Sequence, residues 1–340
     1  MPNPTASAPV LDVIAIGNAI VDVMAPADDA TIERLGLAKG GMTLVDTKRA
    51  HELYNAMGPA KEISGGSAAN TLAGLAALGA KCAFVGQVAD DQLGEVFAHD
   101  IRAGGIQFGT PARAVSGIDG PPTARCLIFV TPDGQRTMNT FLGASQFLPA
   151  EAMIAAEIAS AKVLYLEGYL WDPEEPRNAM RRAIAAARDA GREVAFTLSD
   201  PFVISRHGDD FRALIDAGEI DILFANEHEL AALTMIDDFD AGMAALALKV
   251  PTLVVTRGAN GAHAMKAGEH AHVPAEPIAR VVDTTGAGDL FAAGFLSGHV
   301  NGRPLATCLK LGAICAAEVI SHYGARPEAD LRELVGKVMG

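Results

Sequence analysis

The chain has 340 residues, of which 50% are hydrophobic, and its 41 acidic and 27 basic residues give a formal net charge of −14. That length allows one large α/β domain or two small ones, with enough apolar residues for a sizeable core. An acidic chain repels nucleic acid and anionic membranes, so we expect neither as a partner.

The N-terminus and the cysteines indicate where the protein works. The opening residues, MPNPTASAPV, lack the basic segment of a secretory signal, and no run of about 18 uncharged apolar residues occurs. Cys82, Cys126, Cys308 and Cys315 form no CxxC pair, which is typical of reduced thiols in the cytosol. We therefore predict a cytoplasmic protein without a membrane span.

Buried strands alternate with Ala-rich helices in the first hundred residues. Apolar runs rich in β-branched residues predict strands over 10–16, which ends at Gly17-Asn18, and over 82–88. Ala and Leu at helical spacing predict helices over 66–78 and 93–103.

Residues 106–147 have a different pattern, without long helical periodicity. The segments 124–131 and 136–141 flank Pro132-Asp133-Gly134, which is a strong hairpin turn signal. We interpret about 106–147, together with about 18–46, as a small discontinuous β lid on a single domain spanning 1–340.

The alternation of strands and helices resumes after residue 150. It predicts a doubly wound three-layer α/β sandwich with a mostly parallel central sheet, in which ligands bind at the carboxyl ends of the strands. The predicted strands cover 163–166, 193–198, 220–225 and 252–256. Helices are predicted between them, for example over 174–190 and 227–234, and after them near 287–299, 304–321 and 327–338.

The segment Asp283-Thr284-Thr285-Gly286-Ala287-Gly288-Asp289 precedes an apolar helix. A Gly-rich turn that opens a helix presents free backbone N–H groups and the positive end of the helix dipole, an arrangement that binds anions such as phosphate. A carboxylate in the first helical turn can accept a proton from an attacking hydroxyl. Taken alone, the segment fits a capped and tightly packed helix start better than a catalytic site.

Two separated motifs together resemble the PfkB (ribokinase-like) carbohydrate kinase family. One is the segment 283–289, and the other is Gly65-Gly66-Ser67-Ala68-Ala69-Asn70 near the start of a predicted helix. The resemblance covers roughly residues 10–330. It implies ATP-dependent phosphorylation of an alcohol, with Asp289 as the base and the N–H groups of Gly286, Ala287 and Gly288 around the phosphoryl oxygens.

Within that family the segments resemble those of adenosine kinases. The similar segments are Gly17-Asn18-Ala19-Ile20-Val21-Asp22 and Leu198-Ser199-Asp200-Pro201-Phe202, where Asp200 is a departure. The resemblance implies that Asp22 accepts hydrogen bonds from ribose hydroxyls and that Arg136 neutralises phosphate charge when the lid closes. The expected substrate-binding residues are Asn18, Asp22, Gly65, Gly66, Ser67, Asn70 and Phe141.

The ATP side has no GxxxxGK[ST] loop, which excludes a Walker-type phosphate site. The resemblance implies nucleotide binding by Asn226, Thr256 and Gly258, and Mg²⁺ organised by Glu229 of an NxxE motif. It also implies that a monovalent cation such as K⁺ can bind near Asp283-Thr284-Thr285.

The substrate stays open at this point. We predict phosphorylation of the ribose 5′-hydroxyl of a nucleoside, most simply adenosine to AMP, as in purine salvage. Phe141, Leu142, Tyr169 and Trp171 could form a platform for the base, but core packing explains each of them equally well. The alternatives are a sugar kinase of the ribokinase or fructokinase type, a broad nucleoside kinase that accepts inosine, guanosine or cytidine, and a non-catalytic binding module. The sequence is compatible with a monomer or a homodimer.

Overall fold

The structure is a computed structural model that describes residues 10–115 and 120–339. Its strands, in chain order, are β1 (Leu11–Ile16), β2 (Ile20–Pro26), β3 (Met42–Leu44), β4 (Lys61–Gly65), β5 (Cys82–Val85), β6 (Gln107–Phe108), β7 (Ala124–Val130), β8 (Arg136–Phe141), β9 (Ala161–Glu167), β10 (Glu193–Thr197), β11 (Ile222–Asn226), β12 (Thr252–Thr256), β13 (Ala262–Lys266) and β14 (Glu269–Val273). Its α-helices are α1 (Asp29–Arg34), α2 (Thr47–Ala56), α3 (Ser67–Ala77), α4 (Gln92–Ala103), α5 (Ala155–Ala159), α6 (Glu174–Asp189), α7 (Pro201–Asp216), α8 (Glu227–Thr234), α9 (Phe239–Ala247), α10 (Ala287–Val300), α11 (Leu305–Val319) and α12 (Leu331–Met339).

The large sheet positions the candidate site. Its strand order is β14-β13-β12-β11-β10-β9-β1-β5-β6, and the pairs from β12 to β6 are parallel, whereas β13 and β14 form an antiparallel edge. The chain runs outward from β1 in both directions, through β5 on one side and β9 on the other. The gap between β1 and β9 is therefore the switch point, where open α/β sheets bind ligands at their carboxyl edge.

Side chains of the large sheet alternate between two cores, as expected for a sheet covered on both faces. In β1, Val13 and Ala15 pack toward α3, α10 and α11, while Ile14 and Ile16 pack toward the face that carries α5, α6 and α7. These two layers of helices on a mostly parallel sheet confirm the predicted three-layer α/β sandwich.

A second, smaller sheet has the strand order β3-β8-β7-β2-β4. It includes the predicted hairpin of β7 and β8, but its extent differs from the prediction of about 18–46 and 106–147. Residues 61–65 join it as β4, antiparallel to β2, whereas residues 107–108 pair with β5 in the large sheet. The latter follow α4 and so complete a β5-α4-β6 crossover. Residues 116–119 of the predicted lid lie outside the described residues.

None of the helices in the described parts of the chain combines the length and the apolar character needed to cross a bilayer.

Candidate active site

Glu167 lies at the carboxyl end of β9 and joins three segments at the switch point. Its Oε1 accepts hydrogen bonds from the backbone N–H and the side-chain amide of Asn18, each at 2.7 Å, and its Oε2 accepts from the N–H of Ala68 at 2.7 Å. The side chain is 0% exposed, and this burial raises the pKa of the Glu167 carboxyl to about 7, although the N–H donors oppose the shift. Glu167 thereby fixes the end of β1 against the start of α3.

The two predicted motifs meet at Asp289. The Ser67 hydroxyl donates to Oδ1 of Asp289 at 2.6 Å, and the Asn70 amide donates to Oδ2 at 3.1 Å. Burial raises the pKa of the Asp289 carboxyl, while these two donors and the charge of Arg326 oppose the rise. Asn70 Oδ1 is buried and has no hydrogen-bond partner within the described ranges. That oxygen is an acceptor available to a ligand next to Asp289.

The turn before α10 has the geometry of an anion site. Gly286 has φ +79°, and a Cβ there would lie 2.7 Å from the Cβ of Ala325, so this position requires glycine. A Cβ at Gly288 would meet nothing within 4 Å, so the backbone there faces open space. The N–H of Ala287 donates to the carbonyl of Thr284 at 3.2 Å. This N–H is therefore not free to bind a phosphoryl oxygen, contrary to the role expected for Ala287.

Asp22 lies on the face of the small sheet that the candidate site uses. The register aligns Asp22 with Cys126 of β7, and Cys126 with Thr140 of β8. A Cβ at Gly65 would come within 2.7 Å of the Asp22 carboxylate, so glycine makes room for it. Burial raises the pKa of Asp22 to about 6, and the nearby guanidinium of Arg136 opposes the rise. Such a carboxyl exchanges its proton near the acid end of the physiological range.

Phe141 does not share that face. It is aligned with Arg125 and follows Thr140 directly, so its side chain points to the opposite side of the small sheet. It is only 7% exposed and packs in the core, where the Arg125 guanidinium lies 5.9 Å from its ring centroid. We therefore do not retain Phe141 as a substrate-binding residue.

The nucleotide side of the candidate site lies two strands further along the same edge. Asn226 ends β11 and is aligned with Thr256, the last residue of β12. Gly258 follows in a short 3-10 helix and has φ +53°. The structure therefore brings these three predicted nucleotide-binding residues together.

Asn226 and Glu229 form a capping box at the start of α8. The Asn226 side chain accepts from the N–H of Glu229 at 2.9 Å, and the Glu229 carboxylate accepts from the backbone N–H of Asn226 at 3.0 Å and from its amide at 2.6 Å. Burial raises the pKa of Glu229 to about 7. Each carboxylate oxygen accepts one hydrogen bond and keeps a lone pair, so this residue can accept a hydrogen bond from a water molecule of hydrated Mg²⁺.

Within residues 10–115 and 120–339, no group of three or more His, Cys, Asp or Glu residues is arranged to hold a metal ion.

Three residues of the candidate site were not identified from the sequence. Glu167 carries a signal, because it is a carboxylate directly after an apolar strand. Arg326 donates to the carbonyls of Ser64 at 2.7 and 3.0 Å and of Ala69 at 3.1 Å, and nothing in its local sequence marks it. Ser199, two residues after β10, has φ +71°, a strained conformation for a residue with a Cβ and one found often at functional sites.

Comparison with known proteins agrees with this geometry. Residues 36–331 match the family described as pfkB family carbohydrate kinase. The solved structure of adenosine kinase from Sinorhizobium meliloti is 47% identical to this chain, with a TM-score of 0.87 and coverage of 96% of this chain and 99% of that one. A probable sugar kinase protein from Rhizobium etli CFN 42 is 45% identical, with a TM-score of 0.88 and coverage of 97% and 98%. A fructokinase from Klebsiella pneumoniae is 30% identical over 77% of this chain and 87% of its own length.

Proposed function

The chain belongs to the pfkB family of carbohydrate kinases, which are phosphotransferases with an alcohol acceptor, and we propose that it transfers the γ-phosphoryl group of ATP to the 5′-hydroxyl of adenosine. The observation that carries the choice of acceptor is the 47% identity to an adenosine kinase over 96% of the chain. A sugar kinase is the second candidate, because the probable sugar kinase protein is 45% identical.

The proposed reaction uses Asp289 as the general base. Each of its carboxylate oxygens accepts one side-chain hydrogen bond and keeps a lone pair for the substrate hydroxyl. Asp289 removes the proton, the hydroxyl oxygen attacks the γ-phosphorus, and the bond to the β-phosphate oxygen breaks to release ADP. The N–H groups of Gly286 and Gly288, with the N-terminal dipole of α10, stabilise the phosphoryl oxygens.

The acceptor would be held on the opposite side of Asp289 from the nucleotide. Asp22 offers a carboxylate to two neighbouring hydroxyls of ribose, and the unpartnered Asn70 Oδ1 offers a further acceptor. Gly65 and Gly66 shape this pocket, because their missing side chains leave room for the Asp22 carboxylate and for the backbone carbonyl of Asn18.

The ATP phosphates would lie between Asn226 and the start of α10. The role that we propose for Glu229 is to order a water molecule of hydrated Mg²⁺, which would offset the phosphate charge when bound. Such a kinase would return free adenosine to the nucleotide pool, and a cytoplasmic location remains our prediction.

Tyr169 is the aromatic residue best placed to contact a base. Of the candidates from the sequence, Trp171 is fully buried and Phe141 faces the core, whereas Tyr169 is 38% exposed just after β9. Its N–H donates to the hydroxyl of Ser199 at 3.3 Å. A ring at this position would lie at the same carboxyl edge of the sheet as Asn18 and Glu167.

Product analysis with two matched acceptors tests this proposal. Adenosine with Mg-ATP should give AMP and ADP in equal amounts, and 5′-deoxyadenosine, which lacks the reacting hydroxyl, should give neither.

Tyr169→Ala should lower kcat/KM for adenosine by at least about tenfold, the scale of one lost aromatic contact, and leave turnover of any free sugar unchanged. Absence of AMP, or equal loss for sugar and nucleoside, contradicts the nucleoside assignment.

A further inference from the structure

Asp283 and Arg136 form an ion pair that joins the small sheet to the turn before α10. Arg136 begins β8, and its Nη1 donates to Oδ2 of Asp283 and, at 3.1 Å, to the hydroxyl of Thr285. Arg136 is 7% exposed and Asp283 is 8% exposed. An ion pair this well buried is costly to break by removing one partner, because the other charge is left without compensation.

The Asp283 carboxylate also organises the turn that leads to the anion site. Its Oδ1 accepts from the N–H of Thr285 at 3.0 Å and from the Thr285 hydroxyl at 2.7 Å, and its Oδ2 accepts from the N–H of Gly324 at 2.9 Å. Burial by itself would raise the pKa of Asp283, but these donors and Arg136 hold it below its usual value. One ionised carboxylate thus connects β8, the turn and the loop after α11.

Arg136 has donors left over in this arrangement. Its Nη2 has only a long contact, 3.6 Å, to Sδ of Met24. Its Nε is buried and lacks a hydrogen-bond partner in the described parts of the chain. The charge of the guanidinium also acts on Asp22, where it opposes part of the rise in pKa that burial causes. Arg136 therefore lies between the proposed sugar carboxylate and the proposed phosphate turn, with donors unused.

We propose that Asp283 is a positioning residue for phosphoryl transfer, and that it holds the Arg136 guanidinium where the transferred group passes. The guanidinium supplies the positive charge at this turn, so no monovalent cation is bound by Asp283 and K⁺ does not activate the enzyme. This proposal departs from the expectation that K⁺ binds near 283–285, because the Asp283 carboxylate already accepts four hydrogen bonds. The inference rests on the proposed phosphoryl transfer, but not on adenosine as the acceptor.

A double-mutant cycle tests the positioning role. Asp283→Asn and Arg136→Met should each lower kcat at saturating substrates by at least about tenfold, because both act on the transition state. Acceptor Kd, measured by calorimetry, should change by less than about threefold for Asp283→Asn. The double variant should be within about twofold of the slower single variant, since the two residues act as one unit.

A remote ion pair provides the control for stability. Arg188→Met removes contacts of 2.9 and 3.0 Å to Asp221, and it should lower Tm without changing kcat. The opposite results overturn the proposal: a normal kcat for Asp283→Asn below its Tm, or losses of the two single variants that multiply in the double variant.

The wild-type enzyme provides a test that does not require any variant to fold. Its kcat in KCl should lie within about twofold of its kcat in choline chloride at the same ionic strength, because Arg136 already provides the charge. A rise of more than about fivefold with K⁺ overturns the inference. The assay uses whichever acceptor is turned over, so failure of adenosine as a substrate leaves this result interpretable.

Discussion

The hydroxyl of Ser67 donates to Oδ1 of Asp289 across 2.6 Å, although 222 positions separate the two residues in the chain. This bond joins the first residue of α3 to the first turn of α10. Both helices begin at the carboxyl edge of the large sheet next to the switch point. The contact brings the two sequence motifs into a single site and places a carboxylate beside the proposed anion turn.

Asp289→Asn should lower kcat by at least about a hundredfold while ATP and acceptor still bind, because Asn is nearly isosteric but cannot take up the proton. Initial rates and calorimetric Kd values measure the two effects separately. Glu95→Gln, in the first turn of α4, is a matched control and should keep kcat within about twofold. Turnover of Asp289→Asn within a few fold of the wild type would show that another group is the base.

Glu167→Gln should raise the acceptor KM at least about tenfold and lower Tm. The amide NH₂ of Gln would face one of the N–H groups that now donate to the Glu167 carboxylate. Each group left unsatisfied would cost about 1–3 kcal/mol. The control is Glu193→Gln at the amino end of β10, which replaces a carboxylate that lies 2.7 Å from Nε2 of His299. That change should affect stability alone. An unchanged acceptor KM in Glu167→Gln would separate Glu167 from the site.

Asp22→Ala should weaken binding of the acceptor by about 1.5–3 kcal/mol, the range for a hydrogen bond to a charged group, and leave ATP binding nearly unchanged. Calorimetric titration of each ligand separately measures both affinities. Equal weakening of both ligands would place Asp22 outside the acceptor pocket.

Asp22 should also make stability depend on pH. Burial raises its pKa from 3.8 to about 6, so the folded state holds this proton at a pH where the unfolded chain has released it. The contribution of Asp22 to the stability of the wild type therefore falls as the pH rises from about 4 to about 6. Asp22→Asn lacks the ionisable group, so its Tm advantage over the wild type should grow across that window and then stay constant.

Scanning calorimetry at several pH values between 4 and 7.5 checks this behaviour. Asp12→Asn is a control of opposite sign. Burial tends to raise the pKa of Asp12, but the ammonium group of Lys162 and the backbone N–H of Lys81 hold it below its usual value. Its loss should destabilise the protein to the same extent across this range. A Tm difference for Asp22→Asn that does not change with pH would show that its carboxyl is not shifted in the fold.

Several parts of the fold follow from local sequence. The apolar run of β12 and the hairpin of β7 and β8 have strong period and turn signals, and the structure has them where the sequence predicts them. The helix α7 lies between β10 and β11, where the alternation of strands and helices predicts one, and Asp200 caps it and Pro201 begins it. The short strand β4 has little local signal, and its pairing with β2 determines its place.

The candidate site likewise contains residues that the sequence predicts and residues whose contacts depend on the fold. Asp289, Ser67 and Asn70 lie in recognisable motifs, so the sequence predicts them. The partners of Asp283 and Glu167 depend on contacts between distant segments, and Arg136, Gly324, Asn18 and Ala68 reach them only in the folded chain. The orientation of Phe141 depends on the strand register, which the sequence did not determine.

The measurement that tests the central claim most directly is a side-by-side comparison of kcat/KM for adenosine, ribose and fructose at fixed Mg-ATP. We predict the highest value for adenosine, because binding of the base, remote from the reaction, holds the 5′-hydroxyl in line with the γ-phosphate. Ribose and fructose lack the base and should lose rate as well as affinity. If either sugar is used more efficiently than adenosine, the nucleoside assignment is contradicted, while the family and the proposed role of Asp289 are unaffected.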